Sequence, residues 1–229
     1  MRSVPGIVLL LLAAACGGQP DAQAPPPAPS ERAGAVLRFD TAGAAVFATN
    51  RETGTRVRLF EDERGPMDDE GVSHALLSSF GPYVSYRTEW YAESGARPSY
   101  GTTYTAVGVQ DSVRVADLRT LFAEEDVVRA LRAHPLVVQQ GVRAGDLGGL
   151  LAALAEVLGC TAALDRWASS FAVAGVEADS AQVTVGLPHG CEAERGTFTT
   201  LRLVLPIRPA VRGHFEDLRV YAPTLIVKK

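Results

Sequence analysis

Apolar and polar positions alternate most sharply in residues 82–91, and this alternation predicts a half-buried β-strand. One face of that strand is largely apolar and the other largely polar: Val84, Tyr86, Thr88 and Trp90 against Tyr83, Ser85, Arg87 and Glu89. Residues 100–107 are predicted to return as its hairpin partner. The same pattern predicts further strands at residues 35–39, 44–48, 55–60, 167–174, 181–187 and 197–207.

The middle of the chain has helical spacing instead. The acidic residues 124–126 open a predicted helix that Pro135 ends, because carboxylates favour a helix N-terminus and proline cannot continue a helix. A second helix is predicted between an N-cap at Asp146 and a C-cap at Gly159. Residues 74–80 are predicted as a short helix or the start of a strand. Strands on both sides of a helical middle predict an α+β fold, a single domain in which two or more helices pack on one face of an antiparallel sheet.

The first 15 residues have the layout of a secretory signal peptide. A basic start is followed by an apolar run from Ile7 to Ala15, which is too short to span a bilayer as a helix. Small residues lead directly into Cys16, and the segment resembles the signal of bacterial lipoproteins, although Ala13 stands where that family usually has leucine. The resemblance implies that residues 1–15 are removed and that Cys16 carries palmitate and other acyl chains. An ordinary secreted signal with an incidental cysteine is the alternative.

A lipidated Cys16 would anchor the chain to a membrane, because two or more acyl chains bind a bilayer stably. Gly17 stands where an aspartate would resemble an inner-membrane retention signal, so the expected location is the outer membrane, facing the periplasm. Residues 16–33 are rich in proline and alanine and contain no Val, Ile, Leu or aromatic residue. Such a segment predicts a disordered tether. The folded α+β envelope domain is therefore expected over residues 34–229.

Three cysteines are an odd number for an oxidising compartment. If Cys16 carries lipid, Cys160 and Cys191 remain as a candidate disulfide, and two reduced, buried thiols are the alternative. His189 and Glu192 lie close to Cys191, but the spacing of thiolate metal sites is missing. We therefore predict no metal site here.

Residues 72–208 contain an ordered series of segments: Gly81-Pro-Tyr-Val-Ser-Tyr86, Tyr91, Ser94-Gly-Ala-Arg-Pro98, the stretch 113–118 within which Val115-Ala-Asp-Leu-Arg-Thr-Leu-Phe122 begins, the helix at 124–131 and the strand pair around 181–207. This series resembles an extracytoplasmic α+β module found in RsiV-type anti-sigma factors and beside some peptidoglycan deacetylase domains. It implies an envelope domain that binds or senses rather than catalyses. Ser94 and Arg97 stand where the family has glycine and histidine, so the lysozyme binding of some members is not carried over.

Aromatic residues concentrate in the predicted hairpin, where five of the six tyrosines and Trp90 fall within residues 83–104. We predict a binding face there, with Arg97 at the tip of the loop, Tyr91 and Tyr100 at its base, and Tyr83 in the same hairpin. Two alternatives stay open. The aromatic residues would also suit ordinary sheet packing, and Arg97 would also suit a solvated position or a contact with a backbone carbonyl.

The remaining composition limits the function. The net charge of −4 gives no basic excess for nucleic-acid binding, so no nucleic-acid partner is expected. The chain lacks H-E-x-x-H, G-x-S-x-G and S-x-x-K motifs, and no cofactor is predicted. The sequence predicts a lipid-anchored envelope protein with a non-catalytic binding or sensing domain, whose partner is peptidoglycan, a muramidase-like protein or another envelope protein. The alternative is a cell-wall or polysaccharide hydrolase that uses scattered carboxylates.

Overall fold

Most residues of the folded chain lie in strands. The computed structural model describes residues 35–61, 63–64, 70–92, 99–157, 168–187 and 199–221, which all fall within one compact unit, Arg32–Lys229. The predicted signal peptide and tether lie outside these residues. The strands in chain order are β1 (Leu37–Ala42), β2 (Ala45–Asn50), β3 (Arg56–Glu61), β4 (Glu63–Arg64), β5 (Glu70–Phe80), β6 (Tyr83–Ala92), β7 (Ser99–Val109), β8 (Val113–Val115), β9 (Phe171–Glu177), β10 (Ser180–Leu187), β11 (Thr199–Pro206) and β12 (Arg219–Val220).

These strands form three antiparallel sheets rather than the single sheet that the sequence predicted. The first sheet has the order β1-β2-β3, the second β12-β5-β6-β7-β8 with β4 also paired to β5, and the third β11-β10-β9. The predicted hairpin of β6 and β7 is confirmed, and its register pairs Tyr83 with Gly108 at one end and Ala92 with Ser99 at the other. Strand alternation predicted individual strands and the β6–β7 hairpin but carried no information on how the strands divide into sheets.

The helices lie between the second and third sheets in the chain. They are α1 (Leu118–Leu121), α2 (Glu124–Ala133), α3 (Pro135–Gln139), α4 (Leu147–Val157) and, after a 3₁₀ turn at Pro209–Val211, α5 (Arg212–Phe215). Both predicted helices are confirmed. Pro135 ends α2 and opens α3, and Oδ1 of Asp146 accepts a hydrogen bond of 2.7 Å from the backbone N–H of Gly149 at the start of α4. Gly159 lies outside the described residues.

One hydrophobic core joins the helices to the third sheet. It contains buried side chains from α2 and α4, from β10 and β11, and from the β5–β6 end of the second sheet, among them Val127, Leu150, Val183, Leu203 and Phe80. The alternation predicted for β11 is borne out. Leu201 and Leu205 are fully buried, whereas Val204, which faces the other way, is 63 % exposed.

A second core lies between the first and second sheets. Leu37 and Ala48 of the first sheet contact Val84, Val107 and Val109 of β6 and β7. Because β6 and β7 contribute to both cores, the second sheet is covered on both faces at this end. The prediction that β6 is half-buried is therefore wrong here: Ser85, on the face predicted to be polar, is buried as completely as Val84. The cause is β9, which lies against β5, β6 and β7.

Three further elements differ from the sequence prediction. Residues 74–80, predicted as a short helix or the start of a strand, belong to the eleven-residue strand β5. The strand β12 and the helix α5 were not predicted, because both are too short to show a period. Just after β12, the backbone N–H of Tyr221 donates to Leu77 O at 2.8 Å, and the Tyr221 ring lies edge-on to Phe39 at 5.9 Å.

In the part of the chain that the structure describes, no helix has the length and apolar character needed to cross a membrane.

Candidate functional site

The structure describes some of the predicted site residues and not others. Cys16, Cys160, Cys191 and Arg97 lie outside the described residues. Tyr91 of β6 and Tyr100 of β7 are directly opposite each other in register, one pair before the end of the hairpin. The structure thus brings these two predicted residues together.

Tyr83 lies at the other end of β6. Tyr91 is eight positions further along the strand, a distance of about 26 Å. Its ring stacks on Phe80 at 5.4 Å and meets the His214 ring edge-on at 5.6 Å. Burial raises the pKa of the Tyr83 hydroxyl above its usual value. Tyr83 therefore packs in the interior and does not join Tyr91 and Tyr100.

We use the name outer hairpin for residues 86–92 of β6 and 99–105 of β7. Burial falls along β6 toward it: Val84 is fully buried, and Trp90 is 40 % exposed. Trp90 pairs with Gly101 on β7, and because glycine has no side chain, one flank of the indole ring is uncovered by its cross-strand neighbour. Trp90 thus presents apolar aromatic surface on its own face of the outer hairpin.

The Trp90 face of the sheet is aromatic further in as well. The rings of Phe60 and His74 are stacked with centroids 4.8 Å apart, and the Phe60 ring lies 5.1 Å from that of Tyr86. These inner rings are packed against one another, which ties β3 to β5 and β6. None of these three rings is classed as exposed, in contrast to Trp90.

The opposite face of the outer hairpin carries charged and phenolic groups. Arg87 is opposite Tyr104 in register, and its Nε lies 3.2 Å from Oε1 of Glu89. The positive charge of Arg202 on β11 also influences the pKa of Tyr104. Burial raises the pKa of Tyr104, the positive charge of Arg87 lowers it, Glu89 raises it, and Arg202 lowers it. We call Arg87, Glu89, Tyr104 and Arg202 the arginine–tyrosine cluster.

Sequence reasoning missed this cluster. The alternation of β6 and β7 places Arg87, Glu89 and Tyr104 on one face once the hairpin register is known. Arg202 lies on a strand of another sheet, far along the chain, and nothing local in the sequence connects it to the hairpin. The third sheet contacts β7 through β9 and β10, and the positive charge of Arg202 acts to lower the pKa of Tyr104.

Buried hydroxyl groups continue the polar row toward the interior. Ser78 and Ser85 are opposite each other in register, and both are fully buried. Ser85 lies on the same face of β6 as Arg87, because the two are separated by two positions. Within the described chain, neither serine hydroxyl has a hydrogen-bond partner.

A separate open groove of about 510 Å³ runs beside α2, lined by Glu124, Glu125, Val128, Arg129, Arg132, Gly145 and Asp146. Several of its polar groups stabilise local structure. Asp146 caps α4, Arg129 pairs with Asp126 at 2.7 Å, and Arg132 donates to the carbonyl oxygen of Ala144. The groove therefore offers mixed charge, and three of its charged side chains already have partners in the local structure.

Among the described residues, the carboxyl groups whose pKa is displaced are Asp40 and Asp117, and the pKa of each is lowered. A hydrogen bond from Arg56 holds the pKa of Asp40 below its usual range. Burial acts to raise the pKa of Asp117, but the hydrogen bonds from Arg119 outweigh it. A hydrolytic general acid requires the opposite shift. Among the described residues, no three potential ligands lie close enough together to hold a metal ion.

Comparison of the chain with protein-family models, with curated proteins and with solved structures found no match. The resemblance of residues 72–208 to the RsiV-type module stays a prediction. What the described residues offer chemically is a rigid hairpin with an exposed indole on one face and a charged, phenolic cluster on the other.

Proposed function

We propose that this chain is a lipid-anchored protein of the bacterial cell envelope whose folded domain binds peptidoglycan without catalysing a reaction. The anchor is Cys16, and the signal-like residues before it support this assignment. The tether of residues 16–33 sets the distance between the membrane and the domain. The outer membrane, with the domain in the periplasm, is the proposed location.

The observation that carries the binding proposal is the exposed aromatic end of the hairpin. Trp90 is 40 % exposed, and Tyr91 and Tyr100 form the next register pair along the hairpin. Aromatic side chains supply large contact area at low entropic cost and dominate binding energies when they lie on a rigid support. Sugar rings and short peptides both offer flat surfaces and polar groups that suit such a site. This favours peptidoglycan over a folded protein partner, whose binding is an outcome of the test.

Two finer statements belong to the same proposal. We place α2 and α4 over one face of the third sheet, supported by the core that Val127 and Leu150 share with Val183 and Leu203. Cys160 and Cys191 form the proposed disulfide. Mass spectrometry of the unreduced, alkylated protein distinguishes this bond from two free thiols.

Sedimentation with insoluble peptidoglycan tests the binding proposal. We expect the full chain to pellet with the polymer, and Trp90→Ala to weaken binding by about tenfold or more, as expected for an aromatic anchor. Val138→Ala, at a 63 % exposed position on α3, is the matched control and should bind as the wild type does. Wild-type protein that stays in the supernatant, or that sediments only with a muramidase-like protein, contradicts the proposal.

Metabolic labelling tests the anchor. Cells fed labelled palmitate should label the wild-type chain and leave Cys16→Ser unlabelled, because that variant lacks the thiol to be acylated. The variant should also leave the membrane fraction. Labelling that survives the substitution, or a wild-type chain that carries no label, contradicts the lipid anchor.

A further inference from the structure

We infer that the Trp90 face of the outer hairpin binds a neutral sugar ring, which stacks on the indole of Trp90 and lies across Gly101. The inference rests on the proposed function and names the part of peptidoglycan that this face recognises, the glycan strand rather than the stem peptide. It is carried by three features of the face: a glycine opposite the exposed indole, an open strand edge beside that glycine, and polar groups without charge.

Gly101 lies in the interior of β7, directly opposite Trp90 in register. Glycine weakens a strand, because it loses more backbone freedom on folding than other residues and has no side chain to pack, and in a strand interior it often marks the close approach of a ligand. A larger residue would place its Cβ within about 5.5 Å of the Trp90 Cβ and cover that side of the ring. Gly101 thus keeps the indole accessible, although it lowers the stability of the strand.

The edge of β7 beside Gly101 is open in the part of the chain that the structure describes. On that edge β7 pairs with β8, and this pairing covers only Val107–Val109. Gly101 lies six residues before Val107, about 20 Å away along the strand. The described strands therefore leave the β7 side of the indole uncovered, so a flat ring has room to extend from the indole over Gly101.

The polar groups on this face are uncharged. Thr88 lies two positions before Trp90 on the same side of β6, and Thr103 is opposite Thr88 on β7; both threonines are half-buried. In the register rows of Thr88 and Trp90, this face of β5, β6 and β7 holds no Asp, Glu, Lys or Arg, whereas Arg87 and Glu89 lie on the other face. Threonine hydroxyls donate and accept hydrogen bonds, which suits the hydroxyl groups of a sugar. The carboxylates of a stem peptide would find no cationic partner in these rows.

The spacing of these groups fits one ring. Residues two positions apart on a strand are separated by about 7 Å, so a ring stacked on Trp90 brings its polar edge within reach of Thr88 and Thr103. On the inner side, Thr88 is opposite His74, whose ring is stacked on Phe60 with centroids 4.8 Å apart. The apolar C–H surface of the sugar would thus contact the indole, and its hydroxyl groups would contact the threonines.

Calorimetry with the full chain in detergent tests the inference. The probes are the β-1,4-linked tetramer of N-acetylglucosamine, which carries no peptide, and a free stem tetrapeptide. We expect the sugar to bind and the tetrapeptide not to bind at the same concentration. Gly101→Val should weaken binding of the sugar about tenfold or more, because the new side chain covers the ring. The same variant should keep or raise Tm, since valine favours a strand more than glycine does.

A matched pair of threonine variants tests which face is used. Thr103→Val removes a hydroxyl at nearly constant volume and should weaken binding of the sugar by about threefold to tenfold, the loss typical of one neutral hydrogen bond. Thr102→Val is the control, because Thr102 is the neighbouring residue on the same strand, is also half-buried, and lies on the opposite face. This control should bind the sugar as the wild type does.

The outcomes separate the two proposals. If the wild-type chain binds neither probe and does not sediment with insoluble peptidoglycan, the proposed function and the inference are both wrong. If it sediments with peptidoglycan but does not bind the sugar, or binds the tetrapeptide equally well, the inference is wrong and the proposed function stands. Sugar binding that neither Gly101→Val nor Thr103→Val weakens, or that Thr102→Val weakens as much, also overturns the inference, because the sugar is then bound elsewhere.

Discussion

The two ends of the β6–β7 hairpin share one register and differ in their surroundings. At the inner end Val84 and Ser85 point to opposite faces, and both are fully buried between two cores. At the outer end Trp90 is 40 % exposed, and Arg87 and Glu89 reach solvent on the other face. Nothing in the ladder of backbone hydrogen bonds distinguishes these ends.

The difference shows that strand pairing and burial are set by different parts of the sequence. The β-branched and aromatic residues of β6 and β7 favour pairing along the whole hairpin. Burial follows from what lies against the hairpin, which is the first sheet on one side and β9 on the other. The outer hairpin is therefore more exposed than the inner end of the same two strands.

The largest expected effect compares Phe80, which lies just before the inner end of β6, with Trp90 at the outer end. Phe80→Ala should lower the free energy of unfolding by about 3–5 kcal/mol, because Phe80 is 1 % exposed and stacks on Phe215 and Tyr83. Trp90→Ala should change it by less than about 1 kcal/mol. Chemical denaturation of both variants measures the contrast, and equal losses would show that the outer end is packed as tightly as the inner end.

The next effect concerns Gly81, in the turn before β6. Its φ is +49°, and a Cβ there would lie 2.7 Å from Nδ1 of His214, so Gly81→Ala should cost about 1–3 kcal/mol. Gly43→Ala is the control for backbone strain, since Gly43 also has a positive φ but nothing within 4 Å of an added Cβ. Part of the Gly81→Ala loss should be recovered with His214→Ala. Identical losses at both glycines would rule out the contact with His214.

A smaller effect of opposite sign is expected where the hairpin passes from buried to exposed. Ser85→Ala removes a buried hydroxyl that has no partner among the described residues, so stability should stay constant or rise by up to about 1 kcal/mol. Ser85→Val, which adds volume, should be destabilising because the position is closely packed. A loss of stability in Ser85→Ala would indicate that the hydroxyl is hydrogen-bonded through water.

The smallest effect appears at alkaline pH. Burial raises the pKa of Tyr83, so the folded state binds its proton more tightly than the unfolded state, whose tyrosine pKa is about 10. The resulting stability is complete below that pH and is lost as the pH rises toward the folded-state pKa. Tyr83→Phe should make the decline of Tm above about pH 10 shallower. A decline that is as steep in the variant would assign it to other groups.

Much of the local structure could be predicted from the sequence. The period of two in β6 and β11 and the acidic start of α2 each led to an element that is present in the structure. The division into three sheets could not be predicted, because alternation within a strand does not say which strands share a sheet. The burial of Ser85 was missed for the same reason, since a serine on a strand suggests solvent until a second layer is known to cover it.

The candidate site was only partly accessible to sequence reasoning. Tyr91 and Tyr100 were identified from their place in the hairpin, and the register pairs them. Tyr83 was grouped with them because it is close in sequence. An extended strand has a large rise per residue, however, so residues a few positions apart in it are far apart in space. No local sequence pattern pointed to Arg202. Its charge acts on the pKa of Tyr104 although the two residues belong to different sheets, and strand patterns do not predict how sheets pack.

The contact between Phe39 and Tyr221 bears on when this domain can fold. These residues belong to the first strand and to the segment after the last, so their pairing encloses almost the whole described chain. Contacts between residues so distant in sequence form late and slow folding, because a long loop must close first. A ribosome or a translocation channel that delivers the chain from its N-terminus presents Phe39 long before Tyr221. The edge of β5 that Tyr221 and β12 complete therefore stays unpaired until residues 219–221 have been delivered, so this unit cannot finish folding before that point.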